Sequence, residues 1–186
     1  MGAFETEGSG GTARERESRM MTGLFRDRES AEGAYRSLSS RGYGQDDVNL
    51  LMSDETRKKY FSDDDNDTEL GTKAWEGAGK GAAIGGGVGA TLAAIAAVGT
   101  TLALPGVGLL IAGPLAAALA GGGGGALTGG LIGALVGWGI PEEHARYYDE
   151  GIREGGIVMG VNPRNQEDAD YFESEWRNNR AEQLYR

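Results

Sequence analysis

"LAGGGGGALTGGLIGALVGWG" runs from Leu119 to Gly139, and its reading decides the architecture of the chain. Five consecutive glycines oppose helix, because glycine surrenders the most backbone freedom on folding. The residues around them are nonetheless apolar enough for a buried helix or a membrane span. Each interior glycine costs a helix about 1 kcal/mol relative to alanine, so a dozen forfeit on the order of 10 kcal/mol in water. Two environments offset that loss. A bilayer penalises every unsatisfied backbone group and so enforces helix, and a dry protein core rewards close backbone packing.

The glycines around this stretch fall in register. Gly77, Gly81, Gly85 and Gly89 step by four, and the step resumes at Gly113, Gly121, Gly125, Gly129, Gly133 and Gly137, with Ala117 filling one position. On a helix such spacing lines one face with residues that have no side chain, so another backbone can approach closely. The spacing predicts a Gly/Ala-rich α-helical hairpin over 77–140, turning at "LPGVG" (Leu104 to Gly108), with these ten glycines as its helix-packing face.

Charge sets the hairpin apart. Residues 81–141 contain no Asp, Glu, Lys or Arg, although the whole chain carries 28 acidic and 18 basic side chains. Each arm exceeds the roughly 20 residues that cross a bilayer. Trp75 and Trp138 flank the two open ends as interfacial anchors do. Lys73, Lys80, Arg146 and Arg153 then lie on one side, cytoplasmic by the positive-inside tendency. The alternative is a soluble cytoplasmic oligomeric regulatory module, whose α+β half binds a small ligand or partner and whose hairpin is the buried oligomer core.

Outside the insert the chain reads as a small α+β domain in two halves. Residues 1–19 carry mixed charge and no apolar core of a signal peptide, and they read as a disordered tail. Residues 20–52 form the first half. A strand from Met20 to Phe25 precedes a helix capped by Asp27, with Ala31, Ala34, Tyr35 and Leu38 on one face and Gly42 or Gly44 as its stop. A second strand, Val48 to Met52, completes a βαβ unit with parallel strands. Residues 53–76 are polar and acidic and read as a linker. The second half, 141–186, supplies a helix with Pro141 in its first turn and Gly155 at its end, a strand from Gly156 to Asn162, and a last helix bearing Ala169, Phe172, Trp176 and Leu184. The order β-α-β-α-β-α predicts a ferredoxin-like sandwich that lacks a clear fourth strand.

Composition narrows the function. The absence of cysteine excludes disulfides and thiolate metal sites and fits an intracellular, bacterial setting. A net charge of −10 argues against nucleic-acid binding, and one histidine, His144, argues against histidine metal or triad chemistry. Sharper motifs fail on detail. In "GAGKGAAIGGGVG" no Ser or Thr follows Lys80, so a phosphate loop is not formed. Asp65, Asp67, Glu69 and Glu76 count like a calcium loop, but Leu70 stands where glycine must turn the chain. His144 reads as a packing or surface histidine, and the tyrosines of "ARYYDEGI" as residues that pack their helix onto the sheet.

"TGLFRDRESAEGAYRSLSSRGYGQDDVNLLM", the Gly-Ala insert and "GIPEEHARYYDEGIREGGIVMGV" resemble the bacterial general stress proteins of the heat-induced type, over residues 20–162. The resemblance implies a small α+β domain interrupted by a Gly-rich hairpin, with neither enzymatic activity nor cofactor, and it offers no functional residue. A looser likeness is to a membrane subunit of bacterial quinol-oxidising complexes, whose haem and iron–sulfur hallmarks are absent here. The expectation is a non-enzymatic, stress-associated structural protein without cofactor or metal. It self-assembles through a glycine zipper as a homo-oligomer and is linked to the bilayer with both termini cytoplasmic.

Overall fold

The computed structural model describes residues 20–61, 102–104, 109–114, 116 and 125–186. They form an α+β domain around one antiparallel sheet. Strand β1 is Met21–Phe25, and helix α1 is Arg28–Ser40. Asp27 caps α1 by accepting from the Ser30 amide at 2.8 Å, and Ala31, Ala34, Tyr35 and Leu38 are its buried face. The helix ends where Gly42 turns left-handed at φ 75° and the Tyr43 amide returns to the Leu38 carbonyl. Strand β2 follows at Val48–Ser53.

Helix α2, Asp54–Phe61, occupies a stretch expected to be linker. Its polar sequence is held by tertiary contacts. The Ser53 hydroxyl accepts from the Thr56 amide, and Arg28 donates to the Tyr60 carbonyl at 2.7 Å while stacking over Phe61. The rest of the expected linker, 62–76, and the tail, 1–19, lie outside the described residues.

The predicted helical hairpin is corrected at its centre. Leu102–Leu104 and Leu109–Ala112 are strands β3 and β4, paired antiparallel with Leu104 opposite Leu109. Apolar runs of three and four residues on either side of "PGVG" suit strands, and the four-residue step has no hold on them. Helix α3, Gly125–Gly137, and helix α4, Glu142–Arg153, come next, followed by β5 (Ile157–Val161), α5 (Gln166–Asn178) and β6 (Glu182–Tyr185). The expected last helix therefore stops early. Asn178 and Asn179 favour local side-chain bonding over helix, Asn179 donates to the Glu175 carbonyl, and Leu184 becomes part of an edge strand.

The sheet order is β3-β4-β2-β5-β1-β6, and all five pairings are antiparallel. β1 and β2 run parallel, as expected, but β5 lies between them. The sheet is covered on both faces. On one, α1 and α5 bury Met21, Phe25, Leu50, Met159, Phe172 and Trp176. On the other, α3 and α4 bury Leu24, Leu51, Ile111, Leu135, Tyr148 and Val158. Double coverage explains why β1, β2 and β5 are buried at successive positions rather than alternately. Each fully buried Leu, Phe or Met contributes about 1.5–3 kcal/mol.

Candidate functional site

Three regions bear on function: the glycine-rich helix α3, the polar network where β6 meets β1, and a second network at the other end of the sheet.

Gly125, Gly129, Gly133 and Gly137 all lie in α3, but not on one face. Gly130 has φ 61° and ψ −156°, which kinks the helix and breaks the four-residue register between the first pair and the second. Beyond the kink Leu131, Ala134 and Leu135 point into the core, and a β-carbon added at Gly137 meets no described atom within 4 Å. Val136 stands outward, 43% exposed. Trp138 is half-buried and packs against the α3–α4 core cluster. Gly113 is not helical. It follows β4 at φ 101°, and a β-carbon there would fall on the Val48 carbonyl and against the Asn49 backbone, so its missing side chain serves strand packing. Gly77, Gly81, Gly85, Gly89, Gly121 and Trp75 lie outside the described residues, as do Lys80, Asp65, Asp67, Glu69 and Glu76. Among the described residues no helix is long and apolar enough to cross a membrane, and no three His, Asp or Glu side chains gather for a metal.

The β6 network is built by α4 and β1. Tyr148 is fully buried, and its hydroxyl donates to the Gln183 carbonyl. With that proton committed, the contact to Thr22 Oγ1 at 3.0 Å has Thr22 as donor. Burial pushes the Tyr148 hydroxyl up to about 12 against the opposing bond from Thr22. One turn of strand away, Arg26 donates to both Glu154 and Glu182, while Tyr147 donates to Glu182 at 2.8 Å. Burial pushes the Glu182 carboxyl up, but the Tyr147 and Arg26 bonds together outweigh it and hold the group below its ordinary range. His144 lies on the same helix with its ring centroid 5.3 Å from that of Tyr185. Its Nδ1 is buried and meets no hydrogen-bond partner among the described residues.

The opposite end of the sheet carries Tyr43, whose hydroxyl donates to Asp168 at 2.8 Å and accepts from the Arg164 amide at 2.6 Å. Arg164 stacks over the Tyr43 ring and pairs with Asp47, and Arg41 reaches Glu167 and Asp168. This network ties the α1–β2 turn to the start of α5. Sequence reasoning found none of its members, because their partners lie more than 100 residues apart and no local pattern connects them. Both networks satisfy their carboxylates and hydroxyls internally, which fixes the domain's shape.

No family model, no curated protein and no solved structure matches this chain.

Proposed function

We propose that the chain is a non-enzymatic structural protein of the bacterial general-stress type, which self-assembles through its Gly/Ala-rich insert. One observation carries this reading. α3 is apolar all round, and while Leu131, Ala134 and Leu135 are buried and Ile132 packs partly against the core, Val136 is left exposed. A helix apolar on every side belongs in an interior, and a second copy of the insert supplies one. The order β2-β5-β1-β6, with α1 and α5 as crossovers, supports the ferredoxin-like scaffold that would display it.

Membrane linkage is the second reading, favoured by residues 81–101, an uncharged Gly/Ala-rich stretch about as long as a bilayer span. Fractionation of the full chain with an alkaline-carbonate wash separates the two, run beside a Val136→Glu variant. A soluble chain that sizes as an assembly, and falls to a smaller species in the variant, supports assembly through the insert. Retention in the washed membrane by both proteins favours the bilayer instead. A soluble monomer in both cases sinks the proposal.

A further inference from the structure

We propose that the edge of β1 is a strand-recognition site that accepts residues 182–185 of a second copy of this chain in place of its own. In the closed subunit the site is filled in cis. Main-chain pairing of Thr22 with Tyr185 and of Leu24 with Glu182 supplies generic affinity, and side-chain seats supply preference. Arg26 and Tyr147 hold Glu182, and Tyr148 holds the Gln183 carbonyl. Leu184 sits over the bare backbone of Gly23, where a β-carbon would lie 2.9 Å from Leu184 and 3.2 Å from the Trp176 ring. Every one of these seats belongs to the body of the domain and none to the segment it holds. They therefore read Glu-x-Leu-Tyr equally well from the same chain or from another.

The hinge biases the choice. α5 ends at Asn178 and β6 begins at Glu182, so only three residues connect them. Arg180 in the middle has φ 62°, a left-handed conformation that its side chain opposes. The turn is tied back by the Ala181 amide on the Trp176 carbonyl. A short hinge under strain favours exchange, because opening it relaxes Arg180 in both copies while each seat is refilled by the partner's strand. Gln183, at φ 47°, belongs to the bulge between Thr22 and Leu24, and its strain is common to both forms. Arg180 thus sets the balance, and the exchanged form gains with concentration. This association is distinct from assembly through the insert, which the strand meets at its end, where the Tyr185 hydroxyl donates to the Gly139 carbonyl.

The chain has no cysteine, which makes the test direct. Full-length Thr22→Cys and Tyr185→Cys variants are mixed at high concentration, incubated, oxidised and resolved without reductant. The two thiols face each other across the β1–β6 register only when one copy's β6 lies on the other's β1. The expected result is a mixed 22–185 disulfide several-fold more abundant than either homodisulfide. Leu184→Asp in the Tyr185→Cys copy abolishes that excess. Arg180→Gly, which takes the left-handed turn without strain, lowers it roughly tenfold. A mixed product no more than twice as abundant as either homodisulfide, the ratio of random pairing, or one indifferent to Leu184→Asp, overturns the proposal. A second measurement needs no substitution. Unaltered copies with two different isotope labels, mixed and concentrated, give Leu184-to-Trp176 contacts between labels if strands exchange; their absence at every concentration overturns it too.

Discussion

Tyr148 of α4 donates its hydroxyl proton to the main-chain carbonyl of Gln183, 35 residues away, and so pins β6 to the domain from beneath the sheet. The same oxygen accepts from Thr22, which is itself only 2% exposed. Tyr148→Phe leaves the buried Thr22 hydroxyl without its acceptor and the part-buried Gln183 carbonyl without its donor, and an unmatched buried group costs about 1–3 kcal/mol. Chemical denaturation of Tyr148→Phe should show a loss in that range. In Thr22→Val/Tyr148→Phe the buried hydroxyl goes as well, so the double variant should lose less than the sum of the singles. Additive losses would show that the two hydroxyls do not act together.

The Tyr148 hydroxyl also sets an alkaline limit. Its value is raised from 10.0 to about 12 by burial, because the phenolate would lose its hydration inside the core. A group raised on folding lends stability that is fully present below its unfolded value and lost as pH climbs through the folded one. The unaltered chain should therefore lose stability between pH 10 and 12. Tyr148→Phe starts less stable but declines less over that window. Equal declines in the two proteins would assign the alkaline loss elsewhere.

Gly33 and Asn179 compete for one volume between α1 and α5. A β-carbon at Gly33 would fall on the side-chain oxygen of Asn179, whose amide donates to the Glu175 carbonyl at 2.8 Å. Gly33→Ala gains about 1 kcal/mol of helix propensity but evicts Asn179 from a bond contributing about 0.5–1.5 kcal/mol. The two nearly cancel, so the single variant should be close to neutral. In an Asn179→Ala background the obstruction is gone, and the same change should stabilise by about 1 kcal/mol. Thermal melts of the four proteins check this; an identical effect of Gly33→Ala in both backgrounds rules the competition out.

How far the sequence foretold the structure depends on whether neighbouring residues carry the signal. α1 was legible to the cap and the face, since Asp27, Ala31, Ala34, Tyr35 and Leu38 sit within three turns of one another. β6 was not. Its case rests on a seat over Gly23 and a tie to Tyr148, both far away in sequence, while "AEQLY" on its own continues a helical pattern. The insert misled for a different reason. Its four-residue glycine step is present in the sequence, but Gly130 kinks α3 and Gly113 serves a strand. Glycine spacing states where side chains are missing, not which backbone occupies the gap.

Gly113 provides a test of that distinction. With φ 101° and the Val48 carbonyl where a β-carbon would lie, it can accept no side chain without moving β4 away from β2. Strain of this kind costs roughly 1–3 kcal/mol. In Gly113→Ala, amide hydrogen exchange should quicken at Leu50 to Ser53, which face β4, while Met21 to Phe25 between β5 and β6 stay protected. Uniform loss of protection would mean that β4 is integral to the whole sheet.

Glu182 supplies the acid counterpart to Tyr148. Burial raises its carboxyl, yet the bonds from Tyr147 and Arg26 prevail and hold it below the ordinary 4.5. A carboxyl depressed on folding lends stability that is present above its unfolded value and lost as pH falls through the folded one. Its side chain is 38% exposed, so solvent screens the contribution and the effect is local. As pH drops below 4.5, the amides of β6 should exchange faster before those of β5 do. Arg26→Gln removes the cation that favours the charged carboxyl, so it should move the onset of β6 release to higher pH. A β6 that fails only together with the rest of the sheet, at the same pH in both proteins, would show that the carboxyl does not hold the strand.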